Sequence, residues 1–122
     1  MALLARIRAA EETVYAPAFD RRLEEPVAGS IAVPPSVPLV VTEGNYLLLD
    51  EPPWNRVRGE LDAVWFVQVD PDVRVERLIA RHVRHGRTPE AARAWVLGSD
   101  ERNAELVDRT RERADLVVTV VG

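Results

Sequence analysis

Glu43 ends a short apolar run, Leu39-Val40-Val41-Thr42-Glu43-Gly44, introduced by Pro38. A buried parallel strand reads this way when it delivers an acid to the rim of an α/β sheet. Ligands of open α/β sheets bind beyond the carboxyl ends of the strands. An acid at that point can hold Mg²⁺ through water or orient a substrate hydroxyl. It can equally face solvent, and spacing alone leaves both readings open, although Gly44 would let a ligand approach the backbone. Arg74, Arg77, Arg81 and Arg84 recur at helical intervals and share one face, and Arg87 follows just after Gly86. Like charges so crowded repel one another unless an anion relieves them. Guanidinium forks bind phosphate oxygens in pairs, so a polyphosphate is one such anion. The alternative is a solvated face neutralised by Glu76 or other acids. Tyr15-Ala16-Pro17-Ala18-Phe19-Asp20-Arg21-Arg22 gathers aromatics and opposite charges around a proline. It reads either as a contact for an acceptor substrate or as a surface turn closed by an Asp20–Arg salt bridge.

Other chemistry is weakly supported. His82 and His85 are the only histidines and lack a third metal ligand, so a surface or phosphate-facing role is expected. The Ser and Thr residues form no nucleophile elbow or triad pattern. The absence of cysteine excludes disulfides, thiolate metal sites and a Cys nucleophile. Trp54, Trp65 and Trp95 read as packing residues.

These groups need an α/β frame. Residues 2 to 13 have amphipathic helical spacing, ended by Pro17. Residues 15 to 38 look irregular, broken by Pro17, Pro26, Gly29, Pro34, Pro35 and Pro38. Leu39 to Glu43 is the first expected strand, and Trp54 to Leu61 a short helix. Ala63 to Val69 is the second strand. Asp70 then caps a helix that opens with Pro71 and runs to His85, with Val75, Leu78, Ile79 and Val83 as its buried stripe. Gly86 ends it. Thr88-Pro89 repeats the cap-then-proline signature for a helix reaching Leu97, and Gly98-Ser99-Asp100 interrupts it. A further helix is expected over 101–113 and a third strand over Leu116 to Val121. Strand, helices, strand in this order implies parallel pairing.

A chain of 122 residues allows one domain with one real core. The formal net charge of −4 provides no global basic field, so no nucleic-acid partner is expected. No apolar stretch approaches the ~20 residues of a membrane span, and a cytoplasmic location is expected.

Val14-Tyr15-Ala16-Pro17-Ala18-Phe19-Asp20-Arg21, Val41-Thr42-Glu43-Gly44-Asn45-Tyr46-Leu47-Leu48, Arg77-Leu78-Ile79-Ala80-Arg81-His82 through Gly86-Arg87, and Arg113-Ala114-Asp115-Leu116-Val117-Val118 resemble the phosphoribulokinase/uridine kinase family. These are P-loop nucleoside and sugar kinases, with fructose-transport-system kinases and pantothenate kinases among their relatives. The resemblance implies ATP-dependent phosphoryl transfer to a hydroxyl of a sugar, nucleoside or related small molecule, with Mg²⁺. It places Glu43 beside the metal, through water, and the phosphates. It places Arg77, Arg81 and Arg87 in a lid over ATP, and Tyr15, Asp20 and Arg21 on the acceptor side.

One departure matters. The family opens with a strand, a Gly-rich P-loop and its Lys, then a second strand bearing an Asp base. Here all 16 Lys and Arg residues are arginine, and the 6 glycines are too scattered for a P-loop. The expectation is therefore the C-terminal portion of a P-loop kinase domain, a partial three-layer fold with about three core parallel strands and flanking helices. Its parts would be a helix and acceptor-side segment (1–38), core strands (39–70), lid-type helices (71–113) and a last strand (114–122). Such a chain is expected to be inactive alone, with a complementing N-terminal portion or a second copy as partner. The competing reading is a non-catalytic binding or regulatory module, or a gene remnant, that reuses the half-fold.

Overall fold

A computed structural model describes residues 2–121. The chain is α/β and divides into two compact units, one up to Gly44 and the other from Asn45 onward.

The first unit carries helix α1 (Ala2–Ala9) and an antiparallel hairpin of β1 (Val14–Asp20) and β2 (Glu25–Val33). The hairpin replaces the irregular stretch expected over 15–38. Its prolines and glycine mark a bulge instead of a break. Ala16 faces Ile31 and Ala18 faces Val27, so the register shifts between them. Gly29 takes φ +66°, and Ser30 Oγ donates to the Val27 carbonyl at 2.8 Å, closing the irregularity. Asp20 turns the corner: its Oδ1 accepts from the N–H of Arg22 at 2.8 Å and of Leu23 at 3.3 Å.

Leu39 to Glu43, expected as a strand, forms none, and Leu39 and Val41 are 74% and 82% exposed. A strand exists by its ladder, and among the described residues no neighbouring backbone bonds this run. The parallel sheet therefore has two strands, β3 (Trp65–Val69) and β4 (Leu116–Val120), paired from Trp65↔Leu116 to Val69↔Val120.

The second unit follows the sequence signals closely. Before β3, two 3₁₀ turns, Trp54–Arg56 and Arg58–Glu60, stand where one short helix was expected. Between the strands run α2 (Pro71–Arg84), α3 (Pro89–Trp95), a π-turn over Val96–Asp100, and α4 (Glu101–Asp108). Asp70 caps α2 by accepting from Asp72 N and Val73 N, and Thr88 caps α3 by accepting from Ala91 N. Gly86 leaves α2 with φ +95°, the left-handed stop a glycine supplies. The expected helix over 101–113 is shorter: α4 ends at Asp108, and Arg111–Arg113 is a 3₁₀ turn.

Among the described residues the buried apolar side chains are few: Val14 in the first unit, and Leu48, Val57, Val64, Ala92 and Val96 in the second. The tryptophans expected to pack are substantially exposed, Trp65 at 65%. Asp115 fastens the start of the sheet. Its carboxylate takes both Oδ contacts from Arg58 Nη2, at 2.7 and 2.9 Å, and accepts from Val64 N at 2.7 Å, while Asp115 N donates to Val64 O at 2.9 Å. Asp115→Ala should lower unfolding stability by about 1–2 kcal/mol, discounted for partial exposure. Urea titration checks this, and an unchanged midpoint would assign the strand pairing to β3–β4 contacts alone.

Candidate functional site

α2 builds the cationic face. Its apolar stripe turns inward at Val75, Leu78 and Ile79, while Val83, expected in that stripe, is exposed together with Arg77, Arg81 and Arg84. Arg74 is neutralised, with Nη1 2.7 Å from Glu101 Oε1 at the start of α4. Among the described residues, Arg77, Arg81 and Arg84 pair with no carboxylate, and the expected partner Glu76 does not reach them. Arg87, just beyond the helix, lays its guanidinium over the Trp95 indole, with Cζ 4.3 Å from the ring centroid.

His82 departs from its expected surface role. It lies three residues after Ile79 and four after Leu78, so it continues the apolar stripe. Its Nε2 sits 3.1 Å from Asp100 Oδ2, and both side chains are largely sheltered. His85 Nδ1 contacts the Arg81 carbonyl at 2.7 Å. Asp100 and Glu101 thus tie the π-turn and the start of α4 to α2 through His82 and Arg74. Tyr46 adds a third tie: its hydroxyl donates to Asn103 Oδ1 at 2.6 Å, and its ring packs 5.5 Å from Trp54. Sequence reasoning missed Tyr46, Asp100, Asn103 and the role of Trp95. Only His82 carried a signal, its position in the stripe; the others depend on contacts between separate elements.

Glu43 lies in the first unit, exposed and, among the described residues, without an ion pair. Arg77, Arg81 and Arg87 lie in the second unit. Among the described residues no three His, Cys, Asp or Glu side chains gather to hold a metal ion. A lone carboxylate still suits Mg²⁺ carried on phosphates, which commonly uses only one or two protein acids.

On the hairpin, Tyr15 and Phe19 share the exposed face of β1, and Arg21 Cζ lies 5.5 Å from the Phe19 centroid. Asp20 alternates to the other face and spends its Oδ1 on the turn. Tyr15 and Arg21 are thus available to a ligand, whereas Asp20 already has a structural task.

No helix among the described residues is long and apolar enough to cross a membrane. No protein-family model matches the chain. The chain is 37% identical over 108 residues to an ATP-dependent kinase-like protein, notR', of Aspergillus versicolor, covering 87% of this chain and 63% of that protein. It is 32% identical over 110 residues to a protein of Schizosaccharomyces pombe named as a uridine kinase, covering 88% of this chain and 47% of that one. A solved structure from Silicibacter sp. TM1040, assigned as a fructose transport system kinase, superposes with a TM-score of 0.79 at 33% identity, covering 93% of this chain and 57% of that one. The chain thus spans between about half and two thirds of the length of these relatives.

Proposed function

This chain is a relative of the P-loop kinases, and on that premise we propose that it supplies the lid arginines and the acid for phosphoryl transfer from ATP to a small-molecule hydroxyl. The observation that carries this reading is the trio Arg77, Arg81 and Arg84 on α2, which pair with no carboxylate among the described residues, beside an Arg74 that has its own acid. A helix that neutralises one arginine and leaves three free is suited to an external polyanion. Phosphoryl transfer asks the protein mainly to position groups and neutralise charge, and arginines do both. Glu43 would hold the water shell of Mg²⁺, and that ion would neutralise charge on the phosphates. Tyr15 and Arg21 would meet the acceptor, a sugar, nucleoside or related alcohol, with Asp20 shaping the turn beside them.

The main phosphate grip, a Gly-rich loop with its Lys, is not among these residues. We therefore assign this chain a complementing portion that carries the loop. The apolar side chains left exposed on one face of the two-stranded sheet, Trp65, Val67, Leu116 and Val120, support such a partner. An added strand with its covering helix would bury them.

Calorimetry with Mg-ATP on the 122-residue chain should register no micromolar binding. Joining the chain behind the N-terminal portion of the Silicibacter relative should give ATP-dependent phosphorylation of a sugar or nucleoside from a panel. Tight ATP binding by the chain alone would reveal a separate phosphate site. A folded chimaera inert toward the whole panel would instead favour a non-catalytic binding module.

A further inference from the structure

Resting on the reading of α2 as an anion-binding face, we propose that Trp95 is a positioning residue that stacks Arg87 and pre-orients its guanidinium for a polyphosphate. Three observations converge. Arg87 Cζ stands 4.3 Å from the Trp95 ring centroid, within stacking range. Trp95 is 46% exposed, although it ends a helix whose Ala92 is fully buried and which runs on into the equally buried Val96. About half of the large indole stays accessible while small side chains fill the interior, so core packing does not account for that exposed part. Finally, the backbone around Arg87 is fixed: Arg87 N donates to His82 O at 3.1 Å, and Gly86 N to Val83 O at 3.0 Å.

Stacking and phosphate binding use different parts of the guanidinium. The ring takes the flat face, and the five N–H donors point outward in the plane. The stack therefore consumes none of the donors a phosphate needs. A free arginine side chain has wide rotamer freedom, which binding must remove. By removing part of it beforehand, the indole raises affinity without touching the ligand. Arg87 leaves the chain from the turn between α2 and α3, three residues after the exposed Arg84.

The test uses the intact chain, inorganic tripolyphosphate as the probe, and ¹⁵N NMR at low ionic strength, where weak binding is measurable. The Arg87 Nε–H resonance should carry a ring-current shift that W95L abolishes. W95L keeps apolar bulk without a π face, so it separates stacking from packing, and W95F restores the stack. Relative to the wild type, W95L should weaken tripolyphosphate binding roughly threefold to tenfold. W95F should recover most of that loss. The double variant R87A/W95L should bind no more weakly than R87A. Wild-type affinity in W95L, alongside weakened binding in R87A, would overturn the proposal while sparing the α2 reading. Wild-type affinity in R87A would also overturn it. If R77A/R81A binds tripolyphosphate as the wild type does, the α2 reading itself fails, and this proposal with it.

Discussion

Glu43→Gln, placed in an active chimaera of this chain, is expected to lower turnover roughly 10- to 100-fold, the range for losing a group that orients a metal's outer shell. The substitution keeps the size of the side chain, removes its charge and exchanges one acceptor oxygen for an NH₂ donor. The loss should therefore be accompanied by a higher Mg²⁺ requirement, read as a rightward shift of rate against Mg²⁺ at fixed ATP. Stability should barely move, because Glu43 is exposed and makes no ion pair among the described residues. A rate loss without any change in the Mg²⁺ curve would place Glu43 on the acceptor hydroxyl instead of the metal. Undiminished turnover would return it to the solvent-facing reading.

Arg81→Ala should lower phosphoryl transfer at least roughly tenfold, since losing a charge-assisted contact costs ~1.5–3 kcal/mol. Arg77→Ala should act similarly. The two lie one helical turn apart and would share one anion, so their effects should not simply add. The unfolding midpoint should stay put or rise slightly, because each replacement relieves repulsion between like charges. The contrast with Arg74→Ala is informative. Arg74 holds Glu101, so its loss should appear in stability first. If Arg74→Ala and Arg81→Ala gave the same pattern, the free and the neutralised arginines would not differ in role.

What could be read from the sequence was local. Asp70-Pro71, Thr88-Pro89 and Gly86 fix helix ends through caps and backbone freedom contained within a few residues, and the structure follows them. The arginine face is equally local, since helical period alone sets it. What failed was non-local. Leu39 to Glu43 has the composition of a buried strand, but composition states only what a segment would bury, not which backbone would pair with it. The hairpin failed for the opposite reason. Pro17, Pro26 and Gly29 disfavour regular strands on average, yet a register shift accommodates them once the two strands face each other. Candidate residues on α2 were therefore legible, while Asp100, Asn103 and Trp95, defined by cross-element contacts, were not.

The π-turn at Val96–Asp100 has a consequence for the gene's tolerance of length change. Here Glu101 N bonds back to Val96 O, one residue farther than in an α-helix. Each α-helical residue advances the direction of the side chain by about 100°. The extra residue thus sets the phase of everything downstream. Deleting one codon in this stretch would restore an ordinary helix while rotating α4 by that angle. Glu101 would swing away from Arg74, and Asn103 away from Tyr46. Substitutions at the exposed Leu97, Gly98 and Ser99 can accumulate with little penalty, whereas a single-codon insertion or deletion would dismantle two ties at once. At these three positions, residue number is under tighter constraint than residue identity.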